Sequence, residues 1–326
     1  MSVSVLTAGL LTLLQDAGRT GYRHLGVGAA GALDLYSHAV ANLLVGNGVD
    51  APTLEITLAG PRLHFDRPAR IALCGAEIDA RADGVAIPGW RPVDLPAGSE
   101  LRLGRCRRGA RSYLAVAGSF AAARVLGSAS TDLRGGFGGI RGRMLKAGDV
   151  LSIAGASPPT VAAIRVARWW IDPSPDLDFA SPATIRVVPG HDALSPPSAL
   201  FAREWRVAAA SDRQGLRLDG DTLTCGSAHE RLLLEKVSEP VAPGTIQLPP
   251  DGHPIVLLAD AQTHGGYPRI GHAIVADRPR LAQLRPGDAL RFVPCTPEHA
   301  HRLRCEQRQR LARIALAIES RRLHAE

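Results

Sequence analysis

The stretch from 243 to 267 places polar residues at both ends of one apolar strand, 254–258. Two adjacent glycines in it would let a ligand approach backbone N–H groups that a Cβ blocks. A capped β-turn would use the same residue types, but a second polar constellation near the N-terminus favours a small-molecule site. The residues of this stretch that we predict to bind substrate are Gln247, Gln262, Thr263, Gly265, Gly266 and Tyr267.

Two carboxylates near this strand are candidates for acid–base chemistry. Asp260 follows the strand directly, and Glu239 stands just before Pro243-Gly244-Thr245. Either could transfer a proton to or from a bound substrate, or could cap a turn. Arg213, in Ser211-Asp212-Arg213, adds a guanidinium that suits a polar ligand.

The N-terminal constellation begins with Asp16 and Arg19 in a glycine-broken loop, where an acid and a guanidinium could hold a polar ligand. Asp34 lies where the start of a helix is predicted, so it is either a helix cap or a site residue. Asn42 interrupts an apolar helix face and is either a buried hydrogen-bonding residue or part of the site. We include Asp16, Arg19 and Asn42 among the predicted substrate-binding residues.

The segment 127–143 combines hydroxyls, glycines and arginines. Ser128, Thr131 and Arg141 are its predicted anion-binding residues, because exposed backbone N–H groups and arginine side chains suit oxyanions. A long glycine loop without a ligand is the alternative. Neither the Gly-Lys-Ser/Thr phosphate loop nor the Gly-x-Gly-x-x-Gly dinucleotide motif is present.

The histidines and cysteines do not predict a metal site. No histidine pair has the i, i+4 or His-x-Glu spacing of a zinc centre. The five cysteines are far apart, odd in number and form no Cys-x-x-Cys pair. Reduced thiols in a cytoplasmic protein are therefore expected.

Length and composition predict a globular protein of two domains. The chain has 326 residues, 45% of them hydrophobic and only 4% aromatic. It shows neither an apolar run long enough to span a bilayer nor a secretion signal. The net charge of +7 is carried almost wholly by arginine and is concentrated in the tail. No aromatic residues line a basic stripe, so neither nucleic acid nor membrane is an expected partner.

Short runs of Val, Ile, Leu and Thr separated by Gly, Pro and Asp predict a mainly β fold, a barrel or sandwich in two halves. Two helices are predicted, Leu33–Leu44 and an amphipathic tail helix from Pro297 to about Arg322. The expected organisation is an N-terminal β domain (1–155), a linker (156–182), a C-terminal β domain (183–297) and the tail helix (298–326).

A series of motifs along residues 3–297 resembles the urea-amidolyase-related family. The matching pieces are Gln15-Asp16-x-Gly18-Arg19, Ala41-Asn42-Leu-Leu-Val-Gly46-Asn47, Leu54-Glu55-Ile56, Gly127-Ser128-x-Ser130-Thr131-Asp132, Ser211-Asp212-Arg213-x-Gly215-x-Arg217-Leu218, Pro243-Gly244-Thr245-Ile246-Gln247 and Asp260-x-Gln262-Thr263-x-Gly265-Gly266-Tyr267. The family includes biotin-dependent carboxyltransferase domains, allophanate hydrolase subunit 2, KipA and the C subunit of 5-oxoprolinase. The resemblance implies two cyclophilin-like β-barrel domains with few helices.

Three functions are implied by the resemblance. A lone chain of this length favours the C subunit of an ATP-dependent 5-oxoprolinase, which works with a KipI-like B subunit, together with a third component, the A subunit, to open 5-oxoproline to glutamate. The second is carboxyl transfer from carboxybiotin to urea or a related amide. Because no Met-Lys biotin-attachment site is present, a partner would have to bring the carboxybiotin. The third is a KipA-type protein that antagonises a KipI-like kinase inhibitor without chemistry of its own.

Overall fold

A computed structural model describes residues 1–155, 160–190, 192, 198–224 and 237–323. The described chain falls into two compact units. The first holds Met1–Arg19, Ala30–Leu177 and the chain from Gln309 onward, and the second holds Thr20–Ala29 and Asp178–Arg308. The short apolar run at 231–234, one of those that predict β-strands, lies outside the described residues.

The first unit is built on one ten-stranded sheet with antiparallel ladders. Its strands are β1 (Ser2–Thr7), β2 (Leu11–Gln15), β3 (Thr53–Thr57), β4 (Arg62–Phe65), β5 (Ala69–Ala82), β6 (Val85–Ala86), β7 (Val93–Leu95), β8 (Glu100–Val116), β9 (Val150–Ser152) and β10 (Arg165–Val166). The main path runs β10-β7-β5-β8-β4-β1-β9, while β3 joins β8 to β2 and β6 pairs with β5. The long strands β5 and β8 pair along most of their length, and their alternate apolar side chains fill the core of this unit.

Helix α1 (Leu35–Val45) lies close to its predicted bounds. It begins after Asp34, whose carboxylate accepts the backbone N–H of Ser37 at 2.9 Å, so Asp34 is a helix cap. It ends at Gly46 in the left-handed conformation, φ 84°. The helix is buried against β5 and β8 through an apolar cluster that includes Tyr36 and Val40.

The segment predicted as a linker is 156–182, and its described residues up to Leu177 belong to the first unit. Strand β10 pairs with β7, and Trp169 and Ile171 pack against the apolar cluster around α1. Asp176, which is buried, forms an ion pair with Arg310. Because these residues pack within the first unit, the boundary between the two units falls after them, between Leu177 and Asp178.

The second unit contains a closed barrel of seven strands in the order β11-β18-β15-β16-β13-β12-β19. The described strands of the second unit are β11 (Ala183–Pro189), β12 (Glu204–Val207), β13 (Gly215–Asp219), β14 (Glu239–Pro240), β15 (Thr245–Gln247), β16 (Ile255–Leu257), β17 (His264–Gly265), β18 (Arg269–Ala273) and β19 (Ala289–Pro294). Parallel pairing of β11 with β19 closes the barrel, and β14 pairs with β17 as a separate ribbon. Trp205, fully buried, donates its indole N–H to the Leu200 carbonyl at 3.1 Å.

Helices α2 (Arg278–Ala282) and α3 (Pro297–Leu323) complete the described chain, so the prediction of a mainly β fold with few helices and a C-terminal helix is confirmed. Early in α3, Ala300 and Leu303 pack against apolar residues of the second unit. Later, Ile318 is buried in the cluster around α1. Leu316, which the pattern leaves off the apolar stripe, is 67% exposed. Among the described helices, none combines the length and apolar character needed to cross a membrane.

Candidate functional site

The carboxylate of Asp16 is buried in the first unit and is saturated by local donors. Its Oδ1 accepts from the backbone N–H of Gly18 at 2.8 Å and from the hydroxyls of Ser128 at 2.6 Å and Ser130 at 2.5 Å. Its Oδ2 accepts from the backbone N–H of Ala129 at 2.6 Å. Burial raises the pKa of Asp16, but these hydrogen bonds outweigh it and leave the pKa below its ordinary 3.8. We call Asp16 and its four donors the Asp16 clasp, and its contacts are those of a loop anchor.

Arg19 lies beside the same loop and is 2% exposed. It donates to the Ser130 carbonyl and, at 3.2 Å, to the Val125 carbonyl, and its guanidinium lies 4.6 Å from the centre of the Phe137 ring. Gly138, at φ 71°, allows this approach, since a Cβ there would lie 2.5 Å from an Arg19 nitrogen. The glycine-rich segment therefore folds over Arg19.

The remaining predicted residues of the first unit have separate positions. Asn42 is fully buried and donates to the Ala51 carbonyl at 2.8 Å, so it has the contacts of a hydrogen-bonding residue of the fold. Thr131 is also buried and donates to the Leu14 carbonyl at 2.9 Å. Arg141 is exposed, with φ 57°. Of the three predicted anion-binding residues, Ser128 and Thr131 thus have their hydroxyls turned to the protein, and Arg141 reaches solvent.

In the second unit, Arg213 and Asp260 form a buried two-bond ion pair. The Arg213 Nε lies 2.8 Å from Asp260 Oδ2, and its Nη2 lies 3.0 Å from Oδ1. Their side chains are 4% and 9% exposed. The Asp260 backbone N–H also donates to the Arg213 carbonyl at 3.1 Å. This pair fixes the start of the polar loop that follows β16.

Two glutamine side chains lie side by side in the same loop region, and we call Gln247 and Gln262 the glutamine pair. Gln262 donates to the Gln247 Oε1 at 3.3 Å, and Gln247 donates to the Tyr267 carbonyl at 3.4 Å. Both hydrogen bonds are longer than is usual for N–H···O bonds in proteins. Gly265 lies directly against the pair, since a Cβ there would be 2.6 Å from the Gln247 nitrogen. Gln247 is buried and Gln262 is half-buried, so a ligand that reached these amides could replace their long bonds.

The other predicted residues of this region surround that loop. Thr263 is buried and shares a 2.9 Å contact with His264 Nδ1, and Gly266 leads to Tyr267, which is 45% exposed. Glu239 lies in β14, opposite Gly265 of β17 in the two-stranded ribbon. Its side chain forms an ion pair with Arg269. The structure therefore brings together nine of the predicted site residues in one unit. These are Arg213, Glu239, Gln247, Asp260, Gln262, Thr263, Gly265, Gly266 and Tyr267.

Arg23 is a contributor to this region that the sequence motifs do not reveal. It belongs to the second unit, and its Nη2 donates to the carbonyls of Val241 at 2.5 Å and Gln262 at 3.3 Å. Arg23 lies far from both carbonyls in the chain and in no recognisable motif. Its available signal is only an arginine in Tyr22-Arg23-His24 without an adjacent acid.

No three His, Cys, Asp or Glu side chains within the described ranges are grouped so that they could hold a metal ion. Among the described carboxylates, Asp16, Asp34 and Glu55 accept hydrogen bonds from buried backbone N–H groups, and Asp260 accepts from the buried Arg213 guanidinium. The site therefore offers amide and guanidinium donors, amide acceptors and the Asp260 and Glu239 carboxylates for chemistry.

The chain belongs to the family of carboxyltransferase domains with subdomains A and B, whose sequence model matches residues 25–294. It is 39% identical to a protein of Escherichia coli K12 named as the C subunit of 5-oxoprolinase, and the match covers 98% of this chain and 99% of that protein. This family is the one that the sequence motifs indicate.

Larger proteins contain a similar segment. A putative urea carboxylase of Emericella nidulans is 35% identical over 89% of this chain and 24% of that protein. The crystal structure of the K. lactis urea amidolyase matches with a TM-score of 0.88 and 30% identity, over 96% of this chain and 20% of that one. The fold therefore recurs as one part of much longer enzymes.

Proposed function

We propose that this chain is the C subunit of an ATP-dependent 5-oxoprolinase complex, which opens 5-oxo-L-proline to L-glutamate. The observation that supports this most is the end-to-end similarity to the E. coli protein of that name, at 39% identity over 99% of its length. The urea carboxylase and urea amidolyase relatives align with this chain over a quarter of their length or less. The partners in this proposal are the KipI-like B subunit, together with the A subunit as the third component.

The glutamine pair suits a lactam substrate. A lactam presents one N–H donor and one carbonyl acceptor on neighbouring atoms, and a primary carboxamide offers the matching acceptor and donor. In the free protein, Gln247 and Gln262 use these groups on each other at 3.3 Å and on Tyr267 at 3.4 Å. Binding of a lactam would replace long bonds with shorter ones, which favours exchange.

The carboxylates have distinct positions for proton transfer. Both Asp260 oxygens face Arg213, so Asp260 could accept a proton only after this ion pair rearranges. Glu239 is 48% exposed in its ion pair with Arg269 and is the more accessible acid. ATP would supply the activation that an unreactive amide needs, by transfer of a phosphoryl group to the lactam oxygen.

The test is reconstitution of the complex. This chain is combined with its KipI-like and third partners, and glutamate release from 5-oxoproline is measured with and without ATP. Release that needs both ATP and this chain is the expected result. A folded, complete complex that leaves 5-oxoproline intact in the presence of ATP would refute the proposal.

Carboxyl transfer is the second candidate, favoured by the family's description and by the urea amidolyase match. Urea presents the same adjacent donor and acceptor as a lactam, so the glutamine pair does not separate the two substrates. The same reconstitution with free carboxybiotin and urea in place of ATP and 5-oxoproline distinguishes them. Urea-dependent loss of carboxybiotin in this assay, together with no glutamate release in the assay with ATP and 5-oxoproline, would favour this candidate.

A further inference from the structure

Three arginines of the second unit form a cationic group near the candidate site, which we call the arginine cluster: Arg23, Arg278 and Arg304. The pKa of Arg278 is lowered mainly by burial and, to a smaller extent, by the positive charges of Arg304 and Arg23. Burial also lowers the pKa of Arg23. In the described chain, no ion pair includes any of the three. Positive charge is thus concentrated here without a carboxylate to neutralise it.

The half-buried guanidinium groups of Arg23 and Arg278 also have buried N–H donors without a partner. Arg278 donates through Nη2 to the Pro243 carbonyl at 2.5 Å, while its Nε is buried without a hydrogen-bond partner. Arg23 donates through Nη2 to Val241 and Gln262, while its Nη1 is buried without a partner. A buried unsatisfied donor is destabilising, more so on a charged group. An oxyanion would satisfy both donors and neutralise the charge.

His272 and Arg278 lie beside the turn at Gly244. Gly244 has φ 95°, and a Cβ there would lie 3.5 Å from an Arg278 nitrogen and 3.2 Å from His272 Nε2. The other His272 nitrogen, Nδ1, faces the Thr245 hydroxyl at 3.3 Å. His272 Nε2 and the Arg278 guanidinium therefore both lie against the one residue of the Pro243-Gly244-Thr245 motif that has no side chain.

We propose that Arg23, Arg278 and His272 form an oxyanion-binding site that takes a small carboxylate or phosphate, with Arg304 adding positive charge from solvent. The hydrogen bond from Arg23 to the Gln262 carbonyl joins this site to the glutamine pair. A lactam that carries a carboxylate could thus present its ring amide to the glutamines and its carboxylate to the arginines. That assignment of the carboxylate rests on the proposed function, whereas the oxyanion site does not.

The test uses the full chain alone, without ATP or other components of the complex. Calorimetric titrations compare 5-oxo-L-proline, inorganic phosphate and 2-pyrrolidinone, which has the same ring without the carboxylate. Two variants, Arg278→Gln and Arg23→Gln, each remove one cation and keep a donor. Arg291→Gln is the matched control, because Arg291 is in the same unit and forms an exposed ion pair with Glu204 at 2.9 Å.

We expect wild type and Arg291→Gln to bind 5-oxoproline about tenfold or more tightly than 2-pyrrolidinone. Both site variants should lose that preference. If phosphate binds in an Arg278-dependent way and 5-oxoproline does not, the oxyanion site is supported and phosphate is its ligand. Equal binding of each anion to wild type and to both site variants, or no anion binding to wild type, overturns the proposal even if the complete complex releases glutamate.

Thermal unfolding keeps the test decisive if a variant folds poorly. Each substitution removes one of several like charges together with hydrogen bonds to backbone carbonyls, so the anion-free melting temperature of each variant is the baseline for its own response to phosphate. Phosphate should raise the melting temperature of wild type and Arg291→Gln and leave that of the site variants unchanged. Variants that melt well below wild type and still respond fully to phosphate would show that these arginines serve the fold alone.

Discussion

The Asp16 clasp offers a direct choice between a ligand-binding acid and a structural one. Substitution of Asp16 by Asn keeps the size of the side chain but removes its charge and one acceptor. With the remaining oxygen at the Oδ1 position, the new amide N–H₂ faces the backbone N–H of Ala129, which in the wild type lies 2.6 Å from Oδ2. The hydrogen bonds from Gly18, Ser128 and Ser130 then go to a neutral acceptor.

The expected loss of unfolding free energy follows from these contacts. A buried donor without a partner costs about 1–3 kcal/mol, and each bond that loses charge assistance weakens by about 1 kcal/mol. One orphaned N–H and three weakened bonds give a loss of about 5 kcal/mol for Asp16→Asn. Urea unfolding of the full chain at pH 7, followed by tryptophan fluorescence, measures it. Asp79→Asn is the control, because Asp79 is exposed and lies 3.5 Å from Arg107, and should change stability by less than about 1 kcal/mol.

The pH dependence provides an independent check. Since the folded-state pKa of Asp16 is below its ordinary 3.8, its stabilising effect is complete above pH 3.8 and is lost as the pH falls toward the folded-state value. The difference between wild type and Asp16→Asn should therefore shrink only in acid. A variant with wild-type stability at pH 7 but impaired substrate binding would refute the structural role and restore Asp16 as a ligand.

Two further changes in the first unit test the buried polar groups and the glycine loop. His38 is fully buried and its pKa is lowered to about 4, mainly by burial. Because the unfolded state binds a proton below pH 6.5, the unfolding free energy should fall by about 3 kcal/mol as the pH decreases to 4. In a pH series of urea midpoints, His38→Gln should flatten that part of the curve. Gly138→Ala should lower the unfolding free energy by about 2 kcal/mol more than Gly127→Ala, because both glycines have positive φ but only a Cβ at 138 meets neighbouring atoms. Equal urea midpoints for the two alanine variants would contradict this.

The pattern of apolar runs and turns was sufficient to predict the β class, helix α1 and the tail helix, because each has a local periodicity. Asp34 illustrates an alternative that only the structure resolves, since its cap bond to Ser37 depends on the helix start. The extent of the first unit was less predictable. Trp169 and Ile171 lie in a segment rich in Pro, Ser and Asp, but they pack against α1, a contact between residues more than a hundred positions apart.

Residue type and motif order were enough to select the loop residues of the second unit, but not their contacts. Gln247 and Gln262 meet because β15 and the loop after β16 adjoin in the barrel, whereas Asp16 and Ser128 meet in a saturated clasp. A sequence shows both pairs as polar residues near glycines. Arg23 escaped prediction because its partners are backbone carbonyls, which leave no signature in the sequence.

The most direct measurement of the central claim is kcat/KM for ATP-dependent glutamate release by the complete complex carrying Gln247→Ala. The control is Gln307→Ala, which removes a similar amide of the same unit that donates to the Ala276 carbonyl at 3.3 Å. With assembly checked by size-exclusion chromatography, we predict a fall of roughly 10- to 100-fold for Gln247→Ala, since two substrate hydrogen bonds are lost, and a wild-type value for the control. Wild-type kcat/KM in the Gln247→Ala complex would contradict the claim that this loop binds the lactam.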